Sequence, residues 1–496
     1  MSQDIPVRQR PIGIIDIGSN SVRLVVYNAQ TRTPVPLHNE KAICALGKGL
    51  EKTGLLNSDG VSMAFDTIAR YVKIAEGFNV SRLDALATAA VRDAKDGEAF
   101  ARLVEKRCGI KVQILTGKQE AKRSAMGVIC GMPDAQGVVS DLGGGSLELV
   151  HIEDGAMSEH TTMPLGLLRL TEAADGNREK AIGIINKALE KQKWVFGRAK
   201  DQTLYAVGGA WRALARVCIA QMNYPLHVLD SFTLERGQAV ALFELIARLS
   251  PRTLEQIKGV SKSRLATLPL VAAVLERLIE VTRPRNLCFS IYGMREGQFF
   301  RALPDTVKKQ DPLIGLAEDM ARNAGRLPEL GHEIAAWMSP LFPEETPIQS
   351  KLRLAACILR DAWWMEHPDY RAEQAFLRVL RLPFLGLNHE DRAGLALALF
   401  YRYGTQMSEP IVKQAHALLP ENRIARVQAI GQALRLSYVL APGAVGVLKR
   451  TRLSVLGKTL VLTLKEGEPL FAAGSYPRRL QRLAAHLGLD HRIDSK

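Results

Sequence analysis

The fold class that the sequence predicts is α/β, with two duplicated α/β domains followed by a third, mainly helical domain. The first observation is a glycine-rich turn between two β-forming runs, which occurs at residues 12–26 and again at residues 137–150. The second is the alternation of β-forming and helical stretches up to about residue 305, which is typical of α/β domains. The third is the helical spacing of apolar residues from Leu313 to about Tyr438.

The length of 496 residues exceeds what one hydrophobic core usually serves. The two glycine-rich turns lie too far apart for a solenoid repeat, so duplicated domains that face one another across a cleft fit better. The pattern changes at about Pro304, where the helical part begins. We therefore expect domains at residues 1–135, 136–305 and 306–496.

The elements of the first domain follow from its local pattern. Strands are expected on both sides of the turn 16–21, because isoleucine, leucine and valine dominate there. Apolar residues at helical spacing and a closing glycine predict a helix over 59–77. The remaining predicted elements are a strand at 84–89, a helix over 97–107, a strand at 111–115 and a helix that begins at 117–120.

The second domain repeats this alternation, and the third departs from it. After the strand that begins at Val138, the pattern predicts helices near 179–196, over 234–249 and over 268–279, with strands at 203–207 and 287–291. In the third domain, residues 351–360 form an amphipathic helix pattern. Alternation over 445–471 predicts a small hairpin or sheet, and 478–487 a terminal helix.

The charge balance is strongly basic, with 66 Lys+Arg against 51 Asp+Glu and a net charge of +15. Such an excess attracts polyanions, whether nucleic acid, nucleotides, anionic membrane or a phosphate polymer. The six cysteines show no short spacing, so we expect neither a disulfide framework nor a zinc knuckle. Neither a signal peptide nor a membrane span is visible, which predicts a cytoplasmic protein without membrane contact.

The duplicated turn suits a phosphate ligand. Each copy places an aspartate at a strand end, Asp16 or Asp141, ahead of glycines and a serine. Glycines let the backbone approach phosphate oxygens with N–H donors, and the carboxylate can hold a divalent metal ion. A single such turn is more often a simple glycine-rich hairpin, because short glycine motifs have many false positives. The duplication favours phosphate binding.

Two further glycine motifs are ambiguous. Gly208 and Gly209 open a helix after a strand, where unpaired N–H groups suit a phosphate or nucleotide, although a close-packed turn is an equal alternative. The stretch Gly293-Met-Arg-Glu-Gly297 has the same ambiguity, and we interpret it as structural.

Six motifs taken together resemble one known family. They are Asp-Ile-Gly-Ser-Asn-Ser at 16–21, Thr-Ala-Ala-Val-Arg-Asp at 88–93, Thr-Gly-Lys-Gln-Glu-Ala at 116–121, Asp-Leu-Gly-Gly-Gly-Ser at 141–146, Val-Gly-Gly-Ala at 207–210 and Tyr-Gly-Met-Arg-Glu-Gly at 292–297. Their order over residues 10–300 is similar to that of the exopolyphosphatase and guanosine pentaphosphate phosphohydrolase family. The resemblance implies two ribonuclease-H-like domains, as in the actin-like ATPase fold, and a homodimer.

The resemblance also implies the catalytic residues. Glu120 resembles the family's catalytic glutamate, which activates the attacking water, and Arg92 the arginine that faces phosphate. Family members often carry a second glutamate where this chain has Gln119, and that difference removes one negative charge near a polyanionic substrate. Without the resemblance, Glu120 would be interpreted as a solvated glutamate at a helix N-terminus and Arg92 as an ordinary surface arginine.

A metal site and a phosphate site complete the implied set. Asp16 and Asp141 are expected to hold Mg²⁺ or another divalent cation, with Glu148 as a further ligand, although a strand-surface glutamate is an alternative for Glu148. The expected phosphate donors, with Gly208 and Gly209, are Gly18, Ser19, Asn20, Ser21, Gly143, Gly144, Gly145 and Ser146.

The third domain resembles HD-type metal phosphohydrolases, but the position of their histidine holds Arg360, before Asp361. A site without that histidine is a poor metal-ligand set, so we expect a scaffold, with His367 and His389 as ordinary histidines. Residues 423–482, which we call the basic region, hold 11 Lys+Arg and 2 Asp+Glu. The basic region suits a track that binds a phosphate chain, and the alternatives are a solvated surface or a patch that faces lipid or RNA. The small number of aromatic residues there argues against RNA.

We therefore expect an exopolyphosphatase, which hydrolyses the terminal phosphate of inorganic polyphosphate and binds no specific nucleic acid. The alternative within the family is a phosphohydrolase of guanosine pentaphosphate, pppGpp, which the motifs do not separate from it. Two other classes stay open: an ATP-dependent kinase or ATPase on the same fold, and a polyphosphate-binding regulator without turnover.

Overall fold

A computed structural model describes residues 10–28, 31–175, 177–248, 253, 261–404, 410–468, 471 and 474–495. The chain divides into two compact units, Met1–Lys309 and Gln310–Lys496. The first unit holds both glycine-rich turns and two large sheets, and the second is mainly helical with a small sheet. The predicted division of the first unit at 135/136 stays a prediction.

The first sheet has five strands in the order β3-β2-β1-β4-β5. They are β1 (Ile12–Ile17), β2 (Ser21–Tyr27), β3 (Pro36–Ile43), β4 (Arg82–Ala87) and β5 (Val112–Ile114). The first three strands are antiparallel neighbours, while β4 lies parallel to β1 and β5 parallel to β4. The apolar side chains of β1 are buried, as expected for a central strand with covered faces.

The second sheet has six strands in the order β10-β11-β9-β6-β7-β8. They are β6 (Gly137–Leu142), β7 (Leu147–Glu153), β8 (Ala156–Met163), β9 (Thr203–Val207), β10 (Phe232–Glu235) and β11 (Asn286–Ser290). Strands β6, β7 and β8 are antiparallel, and β9 and β11 continue the sheet in parallel. Apart from β10, this repeats the order and directions of the first sheet. The duplication predicted from the turns is therefore confirmed at the level of topology.

The helices of the first unit connect and cover these strands. They are α1 (Leu50–Thr53), α2 (Ser58–Gly77), α3 (Ala89–Asp93), α4 (Gly97–Cys108), α5 (Gly117–Gly131), α6 (Leu167–Ala174), α7 (Arg178–Leu189), α8 (Gly209–Gln221), α9 (Arg236–Arg248), α10 (Lys262–Leu265), α11 (Leu268–Thr282), α12 (Met294–Ala302) and α13 (Asp305–Lys308). The predicted helix over 234–249 is partly wrong, because Phe232–Glu235 pairs with β11 before the helix begins.

Helix α5 packs very closely on α12, and glycines make this approach possible. A Cβ built on Gly297 would lie 1.8 Å from the Arg123 carbonyl oxygen, and one on Gly127 2.2 Å from the Gly293 oxygen. Any larger residue would push the two helices apart. Gly293 and Gly297 both lie at this contact, in agreement with the structural interpretation of these two glycines.

The second unit is built from eight helices among its described residues, and a three-stranded sheet. The helices are α14 (Pro312–Asn323), α15 (Pro328–Trp337), α16 (Pro347–Leu359), α17 (Arg371–Arg381), α18 (His389–Tyr403), α19 (Pro410–His416), α20 (Glu421–Leu440) and α21 (Tyr476–Leu487). Strands β12 (Thr451–Leu456) and β13 (Thr459–Leu464) form the predicted hairpin. The sequence pattern missed β14 (Asp490–Ser495), which pairs in parallel with β13.

Within the described residues, no helix is both long and apolar enough to cross a bilayer.

Candidate active site

The two glycine-rich turns have the same backbone form. In the first, the Gly18 N–H donates to the Ser21 carbonyl at 3.0 Å, and in the second, the Gly143 N–H donates to the Ser146 carbonyl at 2.9 Å. Each turn therefore joins two antiparallel strands, β1 to β2 and β6 to β7. The two loops therefore share the hydrogen bond that closes each turn.

The two turns lie against one another. A Cβ built on Gly145 would lie 2.9 Å from the Ser19 hydroxyl oxygen and 2.8 Å from the Ala89 Cβ. Gly144 is similarly close to Ser19, at 3.2 Å from its Cβ. The structure thus brings together the predicted phosphate donors of both copies, and it leaves no room for a side chain at Gly145.

The aspartates that end β1 and β6 differ in their surroundings. Asp141 accepts a short hydrogen bond from the Ser124 hydroxyl on α5, and a Cβ on Gly208 would lie 3.0 Å from its Oδ1. Burial raises the pKa of Asp141 to about 6, against the opposing effects of Ser124 and Arg212. Burial also raises the pKa of Asp16, which Arg295 and Arg23 oppose.

Glu120 lies in the first turn of α5, where the local sequence fixes the helix start. Thr116 caps the helix by accepting from the Gln119 N–H at 3.2 Å, and the Gln119 side chain accepts from the Thr116 N–H at 3.1 Å. Either glutamine or glutamate completes such a capping box, so Gln119 fulfils a structural role in this chain. The next residue, Glu120, is only 8% exposed.

Arg92 is the direct partner of Glu120. It sits near the end of the short helix α3, and its Nη1 donates to Glu120 Oε2 at 2.7 Å and to the Leu115 carbonyl at 3.2 Å. Its Nε donates to Asp93 at 3.1 Å, and Asp93 is bound in turn by Arg169 at 2.7 Å. These bonds hold the guanidinium in place, and they link two residues that lie 28 positions apart in the chain.

Burial and mutual repulsion raise the pKa values of the acidic groups near Glu120. The pKa of Glu120 rises from its ordinary value of 4.5 to about 7 because the carboxyl is buried, although Arg92 opposes the rise. The pKa of Glu148 lies well above its usual range, owing to burial and to the charges of Glu120 and Asp141. Perturbed titratable groups of this kind are common at active sites.

These acidic groups fit a divalent cation. The donors are oxygen atoms only, which Mg²⁺ prefers, and Glu148 Oε1 and Ser146 Oγ are buried without a hydrogen-bond partner. Among the described residues, however, no group of three His, Cys, Asp or Glu side chains is assembled tightly enough to hold a metal by itself. Mg²⁺ commonly binds through one or two carboxylates, with waters and substrate phosphates completing its shell, so the fit holds for that mode.

The two copies differ in charge at equivalent strand positions. Across the first sheet, Asp16 pairs with Arg23, and Arg23 pairs with Lys41. Across the second sheet, Asp141 pairs with Glu148, and Glu148 pairs with Thr162. We call these the cationic row (Lys41, Arg23, Asp16) and the acidic row (Thr162, Glu148, Asp141).

Sequence reasoning missed most of the cations that surround the cationic row. Burial and the charges of Arg264, Arg23, Arg212 and Arg295 lower the pKa of Lys41, which means that these cations face one another. The pKa of Arg212 falls to about 10 because the group is buried beside Arg295. Arg264 Nη1 donates a short hydrogen bond to the Gly209 carbonyl, at the start of α8. We call the five cations the cation cluster: Arg23, Lys41, Arg212, Arg264 and Arg295.

Comparison with known proteins agrees with this geometry. The sequence profile of the Ppx/GppA phosphatase family matches residues 25–306, and the profile described as exopolyphosphatase, C-terminal, matches residues 313–492. The chain belongs to the Ppx/GppA phosphatase family. It is therefore a phosphatase, and the duplicated α/β part has the actin-like ATPase fold predicted from the motifs.

Among its relatives, this phosphatase is 27% identical to exopolyphosphatase 1 of Mycobacterium tuberculosis over 303 residues, which are 59% of this chain and 88% of the relative. It is 24% identical to retrograde regulation protein 2 of Saccharomyces cerevisiae over 475 residues, 86% of this chain and 78% of the relative.

Two crystal structures resemble the first unit. The Aquifex aeolicus member of the family aligns with a TM-score of 0.51 at 26% identity over 58% of this chain and 96% of that one. An exopolyphosphatase from Cytophaga hutchinsonii aligns with a TM-score of 0.53 at 22% identity over the same shares, and supports the fold alone.

The second unit of the phosphatase carries an ion-pair network at Arg360 and Asp361, the two positions compared above with an HD-type site. Arg360 Nε lies 3.3 Å from Asp361, and Arg402 Nη2 donates to the other oxygen of Asp361 at 3.0 Å. His367 is exposed, while His389 is buried at the start of α18. Asp361 is thus occupied by two guanidinium groups.

Proposed function

We propose that this phosphatase is an exopolyphosphatase, which releases orthophosphate from the end of inorganic polyphosphate. The observation that carries the proposal is Glu120, a buried carboxyl whose pKa is raised to about 7 and which lies 2.7 Å from Arg92, on a helix tied to Asp141 through Ser124. A general base works best when its pKa lies near the operating pH, and the raised pKa of Glu120 meets this condition.

In this proposal, the two turns hold the terminal phosphate. Backbone N–H groups of both loops and the Ser19 and Ser146 hydroxyls donate to its oxygens. Arg92 donates to it through Nη2, because Nη1 and Nε bind Glu120, Leu115 and Asp93. A divalent metal ion, when bound near Asp16, Asp141 and Glu148, supplies charge neutralisation at the reacting phosphate. The preformed contact between the turns means that little reorganisation accompanies binding.

Glu120 then accepts a proton from the attacking water. The new bond joins the water oxygen to the terminal phosphorus, and the bond from that phosphorus to the bridging oxygen breaks. The shortened chain leaves with the extra negative charge, and Glu120 later returns its proton to solvent. Each step uses groups already on the chain, and no covalent enzyme intermediate is needed.

The cation cluster supports a polymer as the substrate. The cluster includes Arg23, which pairs with Asp16 across the first sheet, and burial with neighbouring cations lowers the pKa values of Lys41 and Arg212. Phosphates that follow the terminal one carry one negative charge each, so the cluster gives them partners and neutralises the leaving chain. Exopolyphosphatase 1 of Mycobacterium tuberculosis, a relative by sequence, carries that activity in its name.

A single comparison tests the proposal. The protein with Mg²⁺ is given long polyphosphate, pppGpp or ATP separately, and released phosphate is measured. We expect polyphosphate to be hydrolysed with the highest kcat/KM, and Glu120→Gln to lose turnover while retaining polyphosphate binding. Glu105→Gln, which changes an exposed glutamate on α4, is the matched control. A preference for pppGpp, or near-normal turnover by Glu120→Gln, would refute the assignment.

A further inference from the structure

The structure neutralises part of the basic region. Arg423 pairs with Glu390 at 2.9 Å, Arg426 binds Glu345, and both Arg450 and Lys465 pair with Glu468. Those four cations are therefore less available to a phosphate chain. Three other arginines of the region lie near an arginine from outside it, and we name the four the arginine cluster: Arg402 on α18, Arg435 on α20, and Arg479 and Arg482 on α21.

Two guanidinium groups of the arginine cluster have buried N–H donors without an acceptor. Arg402 is only 6% exposed and stacks over Tyr438, with its Cζ 4.6 Å from the ring centre. One nitrogen bonds Asp361, but its Nε is buried and unpartnered. Arg479 Nη1 is also buried without a partner. An unsatisfied charged donor is costly, so such groups commonly mark a missing partner.

The cluster lacks negative charge to balance it. Asp361 is already shared between Arg402 and Arg360. In the part of the second unit that the structure describes, no carboxylate pairs with Arg435, Arg479 or Arg482, and Arg435 donates only to the Gly404 carbonyl, at 3.4 Å. Burial and the charges of the other three arginines lower the pKa of Arg435 to about 10. The positive charges of Arg402, Arg479 and Arg482 therefore act on Arg435.

We propose that the arginine cluster binds a compact tetrahedral oxyanion, a phosphate group, inside the C-terminal unit. Guanidinium groups match phosphate geometry through paired N–H donors, and an anion would satisfy the buried donors of Arg402 and Arg479 together. The burial of these donors favours a small anion over a long chain. The proposal is independent of the catalytic assignment, because it concerns a different unit and needs no turnover.

Hydrogen exchange on the full chain locates the binding. The protein is titrated with inorganic orthophosphate, and amide exchange is followed by mass spectrometry in peptides that cover α20 and α21. We expect phosphate to slow exchange there, since the anion would join the two helices. Absence of protection in both helices over the whole titration would overturn the proposal, whether or not the glycine turns of the first unit are protected.

Matched variants separate the site from general basicity. The double variant Arg435→Gln/Arg479→Gln is expected to raise the phosphate concentration for half-maximal protection by at least about 10-fold, as for lost charged hydrogen bonds. Arg452→Gln removes an exposed charge of the basic region on β12, outside the arginine cluster, and its curve should match that of the unchanged protein. Equal weakening by Arg452→Gln and the double variant would refute a specific site.

A third variant guards against misfolding. Arg482→Gln alters only an exposed member of the cluster, so it should fold normally and still weaken the protection about 3-fold, by removing one nearby charge. Unchanged protection in Arg482→Gln, together with a misfolded double variant, would count against the site. A second titration with tripolyphosphate shows whether the site takes free phosphate or the end of a phosphate chain. Tighter binding of tripolyphosphate than of orthophosphate assigns the site to a chain end, and equal binding of the two assigns it to free phosphate.

Discussion

Replacing Arg92 by glutamine tests the link between the guanidinium and the proposed base. The variant loses the 2.7 Å hydrogen bond to Glu120 and leaves a buried carboxyl without its counter-ion. Since Arg92 lowers the pKa of Glu120, its removal should raise that pKa from about 7 by roughly 1 unit more. Glu120 must be deprotonated to accept a proton, so activity should rise with pH, and the variant should reach its plateau at a higher pH.

The magnitude at neutral pH has two parts. A pKa shift of roughly 1 unit costs about 1.4 kcal/mol and reduces the deprotonated fraction of Glu120 at pH 7 about 5-fold. Loss of the charged contact to the reacting phosphate adds a decrease in kcat of roughly 100-fold or more. The two parts separate in a profile of kcat/KM against pH, because only the first disappears at high pH.

The assay compares the unchanged protein, Arg92→Gln and Arg92→Lys between pH 5.5 and 9.5. Arg102→Gln is the matched control, because its side chain is exposed on α4 and pairs only with Glu98 among its described contacts. The lysine variant should recover part of the shift in pH midpoint. If the midpoint stays unchanged in Arg92→Gln while KM rises, Arg92 contacts substrate alone and the coupling to Glu120 is wrong.

Three further predictions concern the same site. The folded-state pKa of Glu120 lies above its ordinary 4.5, so the stability that its protonated form contributes is lost as pH rises towards 7. Metal-free Glu120→Gln should therefore be more stable than the unchanged protein at pH 8, by roughly 1–3 kcal/mol in urea unfolding. An unchanged urea midpoint would contradict this. Ser124→Ala should weaken Mn²⁺ binding by electron paramagnetic resonance roughly 10-fold, whereas buried Ser140→Ala should not. Gly145→Ala should abolish phosphate release while thermal unfolding stays cooperative, whereas full activity would show that the turns can separate.

The sequence allowed the positions of the two turns and the fold class to be predicted, because duplication and periodicity are local signals. It also indicated β12 and β13, whose hairpin is local. Strand β14 was missed because its pairing with β13 is parallel and depends on the intervening helix α21. Strand β10 was missed because four residues that lead directly into α9 have no period of their own.

The catalytic residues remain predictions, but the structure explains which neighbours escaped notice. Ser124 lies four positions after Glu120, one helical turn along the same face, and that spacing was the available signal. Lys41 and Arg23 become neighbours only through strand register, which the sequence specifies weakly. Arg295 was assigned to a structural motif; its flanking glycines pack on α5, while its charge acts on Asp16.

The cationic and acidic rows make the two copies of the turn electrostatically different. Arg23 and Glu148 stand at the same place in the two copies, seven positions after Asp16 and Asp141. Two identical halves would present the same charge on both sides of a bound phosphate. The opposite charges of Arg23 and Glu148 make the two sides different. The phosphates behind a bound chain end would then extend towards the cationic row, and a cyclic metaphosphate, which has no end, should resist hydrolysis.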